Sequence, residues 1–391
     1  MAKTNTKSST QAVIVPVGEI TGGVDTHLEF HVAAARDGLG RVLGTQKFPA
    51  TQTGYADLLA WLTGFGPQVA VVGVEGTGSY GAGLTTYLTS QDITVIEVNR
   101  PNRQKRRLRG KSDPQDAINA AAAVQAGDAT ATPKLRTGPI ESLRVLRVVR
   151  DQLITARTAT INALKALIVT APAHLRETLH GLTVPALIRH CTTLPALDLP
   201  TPRPGSKTRS QATATLVDHL LNATTGTEHT VRLTLNELAR TINHYDTRIR
   251  DLDTLLDGLV RRIAPRTTAL HGLGTDTTGQ LLITAGNNLD RLRTEAAFAT
   301  LIGTAPQDAS SGQHQHHRLS RAGDRHANAA LYRITITRLA SHEPTRTYMH
   351  QRHKPGTKTT KKHIIRCLKR YITREIYPHL TTDLHNLLHT T

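Results

Sequence analysis

Val69-Ala70-Val71-Val72-Gly73-Val74 is a short, unbroken apolar run, and it ends on an acid, Glu75. Without polar alternation, a run of that length reads as a strand buried on both faces, in the middle of a sheet covered by helices. Upstream, residues 12–17 and 22–35 alternate or run apolar as strands do. Arg36-Asp37-Gly38-Leu39-Gly40 is a turn signal, and residues 41–48 read as the returning strand. Residues 54–62 carry helical spacing at Tyr55, Leu58, Leu59 and Leu62. Downstream come a glycine-rich turn at 76–83, a helix and a further strand at 93–98. The order βββαβαβ predicts a mixed sheet with helices packed on it, an α/β unit over residues 1–130.

From Pro139 the pattern turns helical. Leu146, Val149, Leu153, Ala156, Thr160, Ala163 and Leu167 step by three and four along one long helix, with Pro172 just beyond its end. Residues 194–210, rich in Pro, Thr and basic side chains, read as a linker. Val231, Leu235, Leu238, Ile242, Tyr245, Ile249, Leu252, Leu256, Leu259 and Ile263 then alternate steps of four and three without a break. That is an a/d seam, which predicts a coiled coil; its partner is either a second copy or another helix of the same subunit, and its length favours the second copy. Pro265 closes the seam. Residues 131–265 thus form a helical spacer, and a mostly α-helical third unit occupies 266–391. It opens with Leu270-His271-Gly272-Leu273-Gly274-Thr275 and ends in a basic stretch from Lys354 to Arg374.

The chain has 391 residues, enough to bury more than one core. Its 48 Lys and Arg outnumber 30 Asp and Glu, for a formal charge of +18, and this points to a polyanionic partner because each neutralised phosphate releases a counterion. Nucleic acid is favoured over a membrane surface, since no apolar run approaches the roughly 20 residues that a spanning helix needs. The polar residues 1–10 carry no apolar core of a secretory signal. With only Cys191 and Cys367, neither a disulfide framework nor a structural zinc site is expected, and a reducing, cytoplasmic setting fits. Aromatics at 3% are too few for a protein that mainly stacks splayed bases, so phosphate and groove contacts are expected.

Four acids stand where charge is expensive or directional. Asp25 lies inside the apolar strand Gly23-Val24-Asp25-Thr26-His27, and Glu75 ends another; buried charges in such places need a partner. Asp113 and Asp116 open a helix in Lys111-Ser112-Asp113-Pro114-Gln115-Asp116-Ala117, where Ser112 or Asp113 can serve as cap and the three-residue offset puts both acids on one face. Taken alone, that pair could be simple N-terminal capping. The four together can converge at one sheet edge, where carboxylate oxygens suit Mg²⁺ or Mn²⁺. No role is assigned to His27.

The order Asp, Glu, Asp-x-x-Asp resembles the RuvC-like branch of the RNase H fold. More narrowly, the chain resembles the DEDD-type transposases of the insertion sequence 110 family, the bridge-RNA-guided recombinases. Three segments carry the likeness in the first half: Gly23-Val24-Asp25-Thr26-His27, Val74-Glu75-Gly76-Thr77-Gly78-Ser79-Tyr80 and the segment from Lys111 to Ala117. Leu270-His271-Gly272-Leu273-Gly274, Leu301-Ile302-Gly303-Thr304-Ala305-Pro306, Ser310-Ser311-Gly312 and Arg321-Ala322-Gly323-Asp324-Arg325 carry it in the second half. The resemblance implies a DNA recombinase for excision and insertion of a mobile element, in a prokaryotic, nucleoid-associated setting. It also implies a C-terminal serine that becomes covalently joined to DNA, metal held by Asp25, Glu75, Asp113 and Asp116, and a structured guide RNA pairing with donor and target DNA. By position the serine is Ser311, with Ser310 the neighbouring choice. The family's arrangement takes acids and serine from different subunits of a homo-oligomer (dimer or tetramer), which gives the coiled coil a purpose. One departure stands out: where many members carry a Leu-Arg pair, this chain has His326-Ala327-Asn328-Ala329-Ala330-Leu331, and Arg318 or Arg325 is left to supply the charge.

The run Arg100, Arg103, Lys105, Arg106, Arg107, Arg109 and Lys111 leads into Asp113, and reads either as a solvated face or as a track for phosphates. Gly272 and Gly274 before a helix can hold a phosphate through backbone N–H groups or simply make a turn. Arg318, Arg321 and Arg325 are further candidate nucleic-acid contacts. His314, His316 and His317 read as an exposed loop near DNA. Two other functional classes stay open: a RuvC-like nuclease or Holliday-junction resolvase in which water attacks, and a non-catalytic nucleic-acid-binding scaffold.

Overall fold

The computed structural model describes residues 19–98, 112–134, 136–195, 217, 221, 226–308, 317–319, 323–353 and 360–390. Its first strands are β1 (Ile20–Thr26), β2 (Phe30–Arg36) and β3 (Val42–Pro49). Residues 22–35, expected as one apolar stretch, are thus two antiparallel strands, because His27 to Glu29 turn the chain so that Val24 pairs with Ala33. The expected strand at 12–17 lies outside the described residues. Helix α1 (Gln52–Thr63), strand β4 (Val69–Glu75), helix α2 (Ala82–Ser90), strand β5 (Val95–Val98) and helix α3 (Asp113–Gln125) follow. The sheet order is β3-β2-β1-β4-β5, with β1, β4 and β5 parallel and the first three strands antiparallel. This is an RNase H-like α/β domain.

Both sheet faces are covered, as the apolar run of β4 requires. Val24, Val72 and Val74 on one face pack with Leu58 and Leu62 of α1 and Leu84 and Leu88 of α2. On the other, Val71, Ile96 and Val98 meet Ala120 and Val124 of α3. Two glycines set the depth of α3. A Cβ on Gly23 of β1 would come within 2.3 Å of the Ala117 carbonyl oxygen and of the Ala121 nitrogen, and one on Gly73 of β4 within 2.9 Å of the Ala120 oxygen. The helix therefore rests on bare strand backbone, with an alanine face toward it.

The described residues fall into two compact units, Met1–Glu141 with Ala264–Thr391, and Ser142–Ile263. The second unit contains most of α4 (Gly138–Val169), then α5 (Ala173–Leu179), α6 (Val184–Thr192) and α7 (Gly226–Ile263). The predicted seam lies on α7. Leu235 and Ile242 are buried against Leu164 of α4 and against Leu187, Ile188 and Cys191 of α6. Ion pairs Arg150–Asp253 and Arg157–Asp246 set α4 and α7 antiparallel. At Leu235 and Ile242 the seam is therefore filled by helices of the same subunit. Buried Asn236 donates to the carbonyls of Cys191, Thr192 and Leu194, and so satisfies the end of α6.

The C-terminal part of the first unit is mostly helical. It comprises α8 (Pro265–Thr268), α9 (Thr275–Ala285), a 3₁₀ turn (Leu289–Leu292), α10 (Glu295–Leu301), a two-stranded ribbon of β6 (Pro306–Asp308) and β7 (His317–Leu319), α11 (Arg325–Ser341), α12 (Glu343–Arg352) and α13 (Lys361–Thr390). Ile364, Leu368, Ile372, Ile376, Leu380 and Leu384 step by four along α13 and are all buried. No described helix is long and apolar enough to cross a membrane.

Candidate functional site

β1 and β4 are parallel neighbours with Val24 opposite Val74, so the next residues, Asp25 and Glu75, stand side by side at the carboxyl ends of their strands. α3 lies against Gly23 through Ala117 and Ala121, and its N-terminus therefore overhangs the same edge. Asp113 and Asp116 occupy its first turn, Pro114 suits that turn, and Ser112 is the N-cap residue, though its side chain makes no capping hydrogen bond. The positive end of the helix dipole offsets part of the repulsion among the acids.

Asp25, His27 and Asp113 each offer one ligand atom, all within 4.8 Å of one another. His27 Nε2 is 3.2 Å from Asp25 Oδ2 and 3.4 Å from Asp113 Oδ2. That nitrogen is buried and faces both carboxylates. Burial pushes the Asp25 carboxyl above the usual carboxylate range; His27 opposes this, and Asp116 and Asp113 add to it. A crowded set of oxygen donors with one imidazole, destabilised by its own charge, fits a divalent cation: the carboxylates suit Mg²⁺ or Mn²⁺, and the imidazole tilts the set toward the transition ion. Of the four sequence-predicted acids, the structure brings Asp25 and Asp113 into this group and buries Asp116 near enough to act on Asp25. Glu75 is on the adjoining strand end, outside the group of three. His27 was missed. The available signal was its position two residues after Asp25, just past the end of β1.

The turn after Glu75 is held from two sides. Thr26 Oγ1 donates to the Glu75 carbonyl at 3.0 Å, and Arg136 Nη2 donates to the Gly78 carbonyl at 2.6 Å. The segment carrying Arg136 also reaches the C-terminal part of this unit. Lys134 Nζ donates to the Ile283 carbonyl at the end of α9, and Asn287 Nδ2 donates to the Thr137 carbonyl. Burial, with Arg291 and Arg136 nearby, pushes the Lys134 amine down to about 8, against the pull of Asp324 and Glu97.

In the C-terminal part, the segments Leu301–Pro306 and Gly323–Arg325 meet. A Cβ on Gly323 would lie 2.2 Å from the Gly303 nitrogen, and Asn328 Nδ2 donates to the carbonyls of Ile302 and Gly303. Asp324 caps α11 through the backbone N–H groups of His326 and Ala327 and accepts from Thr284 Oγ1. These contacts fix the base of the β6–β7 ribbon. Ser310 and Ser311, between its strands in sequence, fall outside the described residues, and so do Arg103, Lys105, Arg106, Arg107, Arg109 and Arg321 elsewhere in the chain. Arg318 is in β7 and Arg325 is exposed at the start of α11. Gly272 takes a left-handed φ of 78° and Gly274 is the N-cap of α9. Arg338, only 2% exposed, donates to the His271 carbonyl and pairs with both oxygens of Glu375, which holds that turn from behind.

A family model described as a transposase, the DEDD transposase of IS110, matches residues 22–171. A second, described as transposase of the IS116/IS110/IS902 family, matches residues 265–350. No curated protein matches the chain.

Proposed function

The chain belongs to the IS110 family of DEDD transposases, and on that premise we propose that it excises and inserts a mobile DNA element through a covalent serine–DNA intermediate. In this reading Asp25, Glu75, Asp113 and Asp116 hold Mg²⁺ or Mn²⁺, and Ser311 is the nucleophile. The observation that carries it is the meeting of Asp25, His27 and Asp113, from a strand and a distant helix, in a chain of charge +18. A bound divalent cation would supply charge stabilisation at phosphate oxygens and acidify an attacking hydroxyl. One of the carboxylates takes up the serine proton, because a serine hydroxyl is a poor nucleophile until it loses one. The serine oxygen bonds to phosphorus as the bond to one deoxyribose oxygen breaks, and that departing oxygen ends protonated. Arg136 keeps the Glu75 turn in place.

The family resemblance extends the proposal to a structured guide RNA and to subunits that share the site. Val145, Val148 and Val149 of α4 and Leu255 of α7, each about half exposed, support pairing with a second copy along this helical hairpin. Mixing Asp25→Ala chains with Ser311→Ala chains should restore activity if the site is shared; no rescue in co-assembled chains would exclude sharing.

A denaturing gel of reactions on element-end DNA tests the chemistry. DNA joined to protein should appear with the wild type and vanish with Ser311→Ala, while Ser310→Ala retains it. A water-using nuclease is the second reading, because the meeting of Asp25 and Asp113 at the strand end suits it as well. Cleaved DNA with no adduct under any condition would select that reading and reject the serine.

A further inference from the structure

Between Pro344 and Arg374 the chain carries ten Lys and Arg and not one Asp or Glu, in a protein where the two classes stand at 48 to 30. Most of this stretch lies beyond the family-matched residues, which end at 350. Its described residues lie in α12 and the first half of α13, apart from His353 and Thr360. Two of its cations have structural duties: Lys369 is buried and bonds to Asn328, and Arg370 pairs with Glu295. Arg346, Arg352, Lys361, Lys362, Arg366 and Arg374 are exposed, and none has a carboxylate partner among the described residues.

Their placement is ordered. Lys362, Arg366 and Arg374 fall on a row stepping by four, two residues out of phase with the buried row of Ile364, Leu368 and Ile372. Two residues turn a helix by about 200°, so this row points away from the core. It runs roughly 18 Å from Lys362 to Arg374 at about 1.5 Å per residue, close to five steps of a duplex at ~3.4 Å each. At the corner, Tyr348 of α12 and Tyr371 of α13 meet edge to face at 5.4 Å. Arg352 lies over the Tyr348 ring at 5.5 Å and Arg374 over the Tyr371 ring at 6.0 Å. The two guanidinium groups are therefore held on an aromatic base rather than free to swing, which lowers the entropy lost when they bind an anion.

We propose that the α12–α13 corner, built on Arg352-Tyr348-Tyr371-Arg374 and the row of Lys362 and Arg366, docks the phosphodiester backbone of duplex DNA. The choice of duplex DNA as the polyanion rests on the transposase reading. The contacts reach phosphates and not base edges, so the surface positions the duplex without reading its sequence.

Binding of the full chain to random-sequence duplexes, followed by fluorescence anisotropy at several salt concentrations without divalent ions, tests this. Arg352→Gln/Arg374→Gln should weaken binding at least about fivefold and equally for unrelated sequences. It should also reduce the slope of log K against log salt by about 1.8, at about 0.9 for each lost phosphate contact. Arg352→Lys/Arg374→Lys should keep the slope, and Lys362→Gln/Arg366→Gln should reduce it on an independent part of the surface. Unchanged affinity and slope in both Gln pairs would overturn the proposal, as would a loss seen only with structured RNA. Wild-type chains that fail to bind duplex at all would remove it too. The transposase reading fails separately, by an absence of strand exchange in a wild type that still binds duplex.

Discussion

Gly23 of β1 and Ala121 of α3 touch backbone to backbone: a Cβ on the glycine would lie 2.3 Å from the alanine nitrogen. That contact brings Asp113 and Asp116 over the strand end that bears Asp25. Gly23→Ala should force the helix outward, destabilise the domain by at least about 1–3 kcal/mol as overpacking does, and weaken divalent-ion binding. Thermal melts with and without Mn²⁺ measure both; a variant with the wild-type melting temperature and Mn²⁺ response would show that α3 is not seated by this contact.

Asp25 is held above the usual carboxylate range first by burial and further by Asp116 and Asp113, so a cation should relieve the crowding and raise the melting temperature. Asp25→Asn and Asp113→Asn should each remove most of that rise. His27→Ala should reduce the response to Mn²⁺ more than the response to Mg²⁺, because imidazole favours the transition ion. Equal losses for the two ions would mean that His27 is not a ligand.

Much of the site was legible in the sequence because it follows from two periodicities. An apolar run ending in Glu75 and an apolar strand interrupted by Asp25 put acids at neighbouring strand ends, and a helix start carries Asp113 and Asp116. His27 escaped notice because its importance depends on Asp113, which lies far along the chain. The partner of the α7 seam was equally hidden: a stripe of Leu and Ile shows that a surface is buried, not whose helix buries it. The pairs Arg150–Asp253 and Arg157–Asp246, which settle the antiparallel packing, join residues about a hundred apart. Arg338 is set apart from the other cations of this basic chain only by its burial and its two bonds to Glu375.

Arg338 and Glu375 should respond unequally to mutation. Losing Glu375 leaves a buried guanidinium with the His271 carbonyl alone, whereas losing Arg338 leaves a carboxylate that is 43% exposed and can hydrate. Glu375→Ala is therefore expected to destabilise more than Arg338→Met in urea titrations. The hydrogen bonds from Arg338, ahead of the opposing effect of burial, hold the Glu375 carboxyl below its ordinary value. A depressed carboxylate stabilises above its unfolded pKa and loses that contribution as pH falls through the folded value. The acid limb of the stability curve should thus be shallower in Glu375→Gln, and an unchanged limb would deny the pair this role.

Lys369 gives the opposite end of the pH range. Its amine donates to Asn328 Oδ1, and Asn328 in turn holds the carbonyls of Ile302 and Gly303 just before the β6–β7 ribbon. Burial first, and then Arg366, push this amine down to about 8. Lys134 is pushed to about 8 as well, chiefly by its own burial. In the unfolded chain both amines would titrate at the ordinary lysine value, so between pH 8 and that value the unfolded state binds more protons. Stability must then rise with pH across this window. Lys369→Met should remove part of the rise and Lys134→Met/Lys369→Met most of it, as read from urea midpoints at pH 8, 9 and 10. If the double variant rises as steeply as the wild type, neither buried lysine changes its protonation on folding, and the ribbon base is held by Asn328 without help from a titrating amine.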